Sequence, residues 1–107
     1  MPNKGGTEHY VAGFIQLIEY ESNDIEAVEK ALEDFRKDHP GAMTYTSSRI
    51  TEDRDTPGTY VSIVEFTSYE EAMQQSNNSA LSQFAQSMGP ELMTNRRFRN
   101  LDVKVTM

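Results

Sequence analysis

Two tyrosines and one asparagine are the residues whose chemistry best suits a ligand site. The phenols of Tyr45 and Tyr60 can donate a hydrogen bond or a proton, and the carboxamide of Asn77 can orient a carbonyl group. Each residue also has a structural interpretation, because buried tyrosines usually pack their rings and asparagines often cap helices. We therefore treat these three residues as candidate catalytic positions, with the structural alternative open for each.

Other reactive groups are few. The two histidines, His9 and His39, lack the spacing of a metal-ligand pair. Cysteine is absent, which excludes a thiol nucleophile, a disulfide framework and a cysteine-based zinc site. The sequence contains no phosphate-binding loop, nucleophile elbow or dinucleotide-binding fingerprint. We predict that the protein binds no metal and uses no cofactor.

The charge balance argues against a nucleic-acid partner. The chain has 17 acidic and 10 basic residues, a net charge of −7, whereas binding to a phosphate backbone depends on lysine and arginine. An RNA-recognition module has the element order predicted below, but its third strand opens with a basic residue, a glycine and an aromatic residue. Here the motif Asp55-Thr56-Pro57-Gly58 precedes that strand, so we predict no nucleic-acid binding.

The sequence also lacks the signals of a membrane or exported protein. No run approaches the roughly 18 apolar residues that a spanning helix needs. Residues 1–9 are polar and contain no apolar stretch of the kind that signal peptides have. Because cysteine is also absent, we predict a cytoplasmic protein that does not bind membranes.

The apolar periodicity predicts the element order β-α-β-β-α-β. Strands are predicted where β-branched and aromatic residues are frequent, over residues 10–20, 43–50, 59–66 and 97–105. The first helix is predicted to begin after Asn23, with Glu26 completing a capping box, and the second after Ser68, with Glu71 in the same role. The fold class is therefore α+β, a ferredoxin-like arrangement with a four-stranded antiparallel sheet.

Turn residues predict where the helices and the domain end. The first helix is expected to stop near Asp38, before a proline turn, and the second to be interrupted at residues 77–79 and to end at Gly89-Pro90. Pro90 can then open a last short turn through Met93. Residues 1–9 are expected to form a flexible tail. Residues 10–107 are expected to form a single domain.

The first and third predicted strands are apolar on both faces. Two helices can cover one face of a four-stranded sheet, and nothing else in the chain is left to cover the second. An uncovered face would expose an apolar patch that monomers rarely show, formed by Val11, Ile15, Leu17, Val61 and Ile63. We therefore predict a homodimer that packs sheet against sheet, and a different protein on that face is the alternative.

Several segments together resemble a known family. These are EFTSYEEAM at residues 65–73, Phe84, FRNLDV at residues 98–103, and the His-Pro-Gly turn at residues 39–41. They resemble the antibiotic biosynthesis monooxygenase-like group of dimeric α+β barrels, over residues 10–105. The group includes cofactor-independent oxygenases of aromatic polyketides, haem-degrading enzymes and members without an established activity.

The resemblance implies a cavity between the sheet and the helices for a small aromatic or polyketide-like ligand. We expect its lining to include Phe14, Phe66, Met73, Phe84 and Met88, with Tyr45, Tyr60 and Asn77 orienting the ligand. The second helix has no histidine to hold haem, and the chain has no tryptophan, which the oxygenases often place in their site.

Three functions remain open at this point. The protein is a cofactor-independent monooxygenase, a non-catalytic module that binds a ligand in the same cavity, or a structural or stress-related dimer with a filled core. A cavity of several hundred Å³ would separate the first two functions from the third, in line with the size of known ligand pockets.

Overall fold

Four strands and three helices make up the fold. The structure, a computed structural model, describes residues 13–107, without the side chains of residues 89–91. Its elements are β1 (Phe14–Glu21), α1 (Ile25–Asp38), β2 (Ser47–Glu52), β3 (Thr59–Phe66), α2 (Tyr69–Ser76), α3 (Ser79–Leu92) and β4 (Thr94–Asp102). The strands form one antiparallel sheet in the order β2-β3-β1-β4. The predicted α+β class and the four-stranded antiparallel sheet are confirmed, with the second predicted helix divided into α2 and α3.

Side-chain caps determine where the helices begin. The carboxylate of Asp24 accepts a hydrogen bond from the backbone N–H of Ala27 at 3.1 Å, so α1 is capped by Asp24 and the predicted Asn23 capping box is wrong by one residue. The predicted cap of α2 is confirmed, because the Ser68 hydroxyl accepts from the N–H of Glu71 at 3.2 Å. A third cap starts α3 after the break at residues 77–78, because the side-chain carbonyl of Asn78 accepts from the backbone N–H of Leu81 at 3.0 Å.

Only β3 has the bounds that the sequence predicted, and β2 and β4 show the reasons for the differences. Strand β2 begins at Ser47 instead of residue 43. The segment before it contacts α2 instead, because the backbone N–H of Thr44 donates to the Gln75 side chain at 2.8 Å. Strand β4 begins at Thr94, three residues earlier than predicted, and a β-bulge opposite the end of β1 accommodates the extra residue. Asn95 in this bulge has a φ of 55°, a left-handed conformation that asparagine tolerates better than most residues.

Helix α3 continues through Gly89-Pro90 and ends at Leu92, so the predicted end at these two residues is wrong. A proline costs a helix one backbone hydrogen bond and crowds the preceding turn. Here that cost is confined to the last turn, and Met88 and Met93 on either side are buried against Tyr20 and Val28. Tertiary packing therefore maintains the helix where the local sequence favours a stop.

All three helices pack on one face of the sheet, which we call the inner face. This face carries Phe14, Ile18 and Tyr20 of β1. Phe14 therefore lies on the side of the sheet that faces the helices, as expected from the sequence. One core cluster joins Phe14, Val64 and Phe66 to α2, and a second joins Tyr20 to α1 and α3. Ile18 packs against both clusters, which otherwise remain separate.

The opposite, outer face carries Ile15, Leu17, Val61 and Ile63, each of them half-buried. Within residues 13–107, none of these four side chains belongs to either core cluster. Val11, which the sequence places on the same face, lies outside the described residues. An ion pair of 2.8 Å between Arg49 and Glu65 borders the patch, so the patch has an apolar centre with a charged edge.

Tyr20 provides a test of this core. Its side chain is 1% exposed, and its hydroxyl hydrogen-bonds the buried Ser62 hydroxyl at 3.1 Å. Tyr20→Phe is expected to lower the free energy of unfolding by about 1 kcal/mol at neutral pH, because Ser62 loses its partner. Urea denaturation measures the change, and Ser62→Ala in the Tyr20→Phe background should recover part of it. Full wild-type stability of Tyr20→Phe would contradict this interpretation.

The same residue makes stability depend on pH. Burial raises the pKa of Tyr20, because desolvation disfavours the phenolate. Above about pH 10 the unfolded chain releases this proton while the folded chain keeps it, so the free energy of unfolding falls with rising pH. In Tyr20→Phe, the free energy of unfolding should fall less steeply with rising pH. The fall that remains is expected from Tyr60, whose pKa is raised by desolvation and by Glu52. Equal slopes for the two proteins would exclude this effect.

Candidate functional site

A cleft of about 770 Å³ lies between the inner face and the helices, at the place where the two core clusters do not meet. Its volume is within the range of small-molecule sites. Most of its lining is apolar, including Ile18, Leu32, Met43, Val64, Phe66, Met73, Leu81, Phe84, Met88 and Met93. The four methionines give the walls flexible, polarisable side chains that adapt to ligand shape.

Polar groups interrupt the apolar floor of the cleft. The side chain of Gln16 on β1 donates from Nε2 to Oδ1 of Asn100 on β4, at 3.2 Å. The hydroxyls of Ser48 and Ser62 and the guanidinium of Arg96 also line the cleft. The floor therefore combines an apolar surface with a few convergent polar groups, as ligand sites usually do.

A second pair of polar side chains, Arg36 and Tyr45, lies on the helix side of the cleft. Nη1 of Arg36 donates to the phenol oxygen of Tyr45 at 3.4 Å, and both residues line the cleft. This hydrogen bond raises the pKa of the exposed Arg36, with a smaller contribution from Glu33. The phenol O–H of Tyr45 is left as a donor that can face a ligand.

The cleft brings together five of the eight residues predicted from the sequence. Tyr45, Phe66, Met73, Phe84 and Met88 all contribute to its lining. They come from three elements and one loop, which only the packing of the helices on the sheet brings together. Their roles toward a ligand stay predictions.

The other three predicted residues lie outside this lining. Phe14 is buried beside the cleft, with its ring 5.5 Å from Tyr69 and 6.2 Å from Phe66. The ring of Tyr60 stacks on Tyr20 at 5.9 Å, and Asn77 is the exposed residue that ends α2. These placements match the structural interpretations that the sequence left open.

Gln16 and Asn100 are the polar pair that sequence reasoning did not assign to the site. Gln16 interrupts the apolar inner face between Phe14 and Ile18, and this interruption was the available signal. Its partner is 84 residues away, and the sheet register alone aligns the two. Periodicity identifies an inward polar residue, whereas the pairing requires the fold.

Among residues 13–107, no group of three or more histidine, aspartate and glutamate side chains is placed to hold a metal ion. The described helices include none that combines the length and the apolar character needed to cross a membrane.

Solved structures share this architecture at low sequence identity. A proposed antibiotic biosynthesis monooxygenase of Deinococcus radiodurans has a TM-score of 0.69 and 8% identity, covering 88% of this chain and 95% of that one. The chain has the antibiotic biosynthesis monooxygenase-like fold. A similar proposed enzyme of Caulobacter crescentus has a TM-score of 0.65 and 16% identity, covering 92% and 96% of the two chains. A third, from Nitrosomonas europaea, has a TM-score of 0.65 and 11% identity, covering 88% and 94%.

The antibiotic biosynthesis monooxygenase-like fold confirms the resemblance predicted from the sequence at the level of architecture. No protein-family model matches the sequence. No curated protein sequence matches it either.

Proposed function

We propose that the protein binds a small aromatic or polyketide-like molecule in the cleft. The observation that carries this proposal is the cleft itself, a space of about 770 Å³ with apolar and polar lining residues that lies between two separate core clusters. A structural dimer with a filled core would not need such a space. The solved structures that share this fold include proposed antibiotic biosynthesis monooxygenases, names that fit a protein acting on small molecules.

The proposed reaction is an oxygenation without a cofactor. A ring CH₂ group that is conjugated to a carbonyl through the ring system, as in anthrone, loses a proton, and the resulting carbanion transfers electrons to O₂. The product carries C=O in place of CH₂, and the second oxygen atom leaves as water, so the substrate supplies all the electrons. A bound ring system that lies on the apolar part of the lining would shield the carbanion from the water that would protonate it.

Tyr45 is the residue to which we assign the orienting role. It is the one predicted catalytic residue in the cleft lining, and Arg36 holds its phenol oxygen. Its O–H can donate to a ligand carbonyl, which stabilises the enolate form of the substrate. Tyr60 and Asn77 have structural positions instead.

A filled cleft tests the binding proposal. Ala85 lines the cleft on α3, and Ala85→Phe places a ring in the space that a ligand would occupy. We expect the affinity for naphthol, measured by calorimetry, to fall at least about tenfold. Gln83→Phe is the matched control, since it adds the same ring at an exposed position of α3 outside the lining. Equal affinities of the two variants would contradict the proposal.

Binding without catalysis is the second candidate function. It is favoured by the placement of Tyr60 and Asn77 outside the cleft lining, which leaves only one of the three predicted catalytic residues beside a ligand. Oxygen consumption with anthrone, corrected for the rate in buffer, separates the two functions. Naphthol binding together with no acceleration of anthrone oxidation would establish the binding module.

We also propose a homodimer formed through the outer face. Two observations support it: all three helices pack on the inner face, and the outer face presents half-buried aliphatic side chains with Leu101 36% exposed beside them. Pairing two such faces removes both patches from water by a single two-fold operation. Light scattering at micromolar concentration should give a dimer mass, and a monomer mass would refute the proposal.

A further inference from the structure

The floor of the cleft is organised in rows that run across the sheet. Register pairing aligns Ser48 of β2, Val64 of β3, Gln16 of β1 and Asn100 of β4 in one row. The next row contains Ile50, Ser62, Ile18 and Phe98. All eight residues line the cleft. A polar row thus lies beside a mainly apolar one, on one rigid surface.

The polar row contains a pair of carboxamides with spare hydrogen-bonding capacity. A primary amide offers one carbonyl acceptor and two N–H donors. The bond from Gln16 Nε2 to Asn100 Oδ1 uses one donor and one acceptor. Within residues 13–107, the Gln16 carbonyl oxygen and the Asn100 NH₂ group form no other side-chain hydrogen bond. The pair therefore offers a ligand one carbonyl acceptor, on Gln16, and one NH₂ donor, on Asn100.

We propose that Gln16 and Asn100 recognise the polar edge of a flat, uncharged ligand that carries a carbonyl acceptor beside an N–H or O–H donor. Carboxamides, lactams and enolised diketones have such an edge. The ligand carbonyl accepts a hydrogen bond from the NH₂ group of Asn100. The ligand N–H or O–H donates to the carbonyl oxygen of Gln16, and the apolar body of the ligand lies on Ile18 and Phe98. This inference rests on the proposed ligand site and defines which ligands it selects.

Selectivity follows from the cost of unpaired polar groups. A bound ring system covers the floor and removes water from both amides. A ligand with the matching edge replaces the lost hydrogen bonds, whereas a ligand without a donor leaves the Gln16 carbonyl unpaired. The amide pair is neutral, and Ser48 and Val64 in the same row are neutral as well, so the row favours an uncharged edge.

Naphthamide and methyl naphthoate are the probes for this proposal. They share the same ring system and a carbonyl group, and only the amide also has a donor. Calorimetry on the full-length wild-type protein should show naphthamide binding about tenfold more tightly than the ester, the range that one satisfied hydrogen bond gives. Equal affinities of the two probes would overturn the proposal.

Variants identify the residues responsible. Gln16→Met and Asn100→Leu keep the side-chain size and remove the polar atoms, and each should reduce the preference for the amide to about twofold or less. Ser48→Ala is the matched control, because it removes a hydroxyl from the same row and leaves the pair intact. A preference that survives in both pair variants would also overturn the proposal.

The same titrations keep this inference separate from the proposed function. If both probes bind wild type with equal affinity, the cleft is a ligand site and the amide pair does not select. If neither probe binds, the proposed ligand site and the selection both fail. Asn100 is on an exposed edge strand, so Asn100→Leu is expected to fold, which circular dichroism verifies.

Discussion

Leu17→Glu is expected to convert the proposed dimer into a monomer. Leu17 lies at the centre of the outer face, on a central strand of the sheet. In a two-fold sheet-to-sheet dimer, each partner would bury one carboxylate in an apolar contact, at a cost of several kcal/mol. The dimer dissociation constant should rise at least about a thousandfold. Sedimentation equilibrium or light scattering over a concentration series measures it.

The separated protomer should remain folded. Position 17 is only half-buried in one chain, so a carboxylate there keeps contact with water in the separated protomer. Leu17→Met is the control, because it keeps volume and apolarity and should preserve the dimer. Unchanged dimer affinity in Leu17→Glu would place the interface elsewhere.

Gly13→Ala is expected to lower the free energy of unfolding by about 3 kcal/mol, the upper part of the range for overpacking. A Cβ atom at this position would overlap the backbone carbonyl of Thr67, in the turn between β3 and α2. That backbone cannot move freely, because the Gly13 N–H donates to the carbonyl of Phe66 at 2.9 Å. Urea denaturation should give a lower midpoint with an unchanged slope.

Gly41 is the matched comparison, since a Cβ atom there meets nothing within 4 Å and the residue has a φ of +89°. Gly41→Ala should therefore cost only the left-handed backbone term, about 1–2 kcal/mol. Gly41→Asn should be better tolerated, because asparagine adopts that conformation, whereas Gly13→Asn should be as harmful as Gly13→Ala. A smaller loss for Gly13→Ala than for Gly41→Ala would contradict this account.

The candidate site shows where reasoning from the sequence reached its limit. The chemistry of Tyr60 and Asn77 suited a site as well as that of Tyr45, and their residue types did not distinguish them. Packing distinguishes them, because Tyr60 stacks on Tyr20 and Asn77 ends a helix, while Tyr45 faces the cleft. A side chain's location depends on which elements meet around it, and residue type carries little of that information.

The helix ends likewise divide into those that the local sequence determines and those that tertiary packing determines. Ser68 and Asp38 mark helix ends through local hydrogen bonds and turn chemistry, which neighbouring residues determine. The continuation of α3 past Gly89-Pro90 depends instead on the burial of Met88 and Met93 against distant residues. Local rules are reliable where the interactions are local, and they fail where distant contacts outweigh them.

The sequence by itself determined the element types, the antiparallel α+β architecture and the two apolar faces of β1 and β3. These features follow from periodicities of 2 and 3.6 residues, which are written directly along the chain. Only the tertiary structure decided that the core divides into two clusters with a cleft between them, and that Gln16 meets Asn100 across 84 residues of sequence. The reason is that register and packing arise from contacts between distant segments.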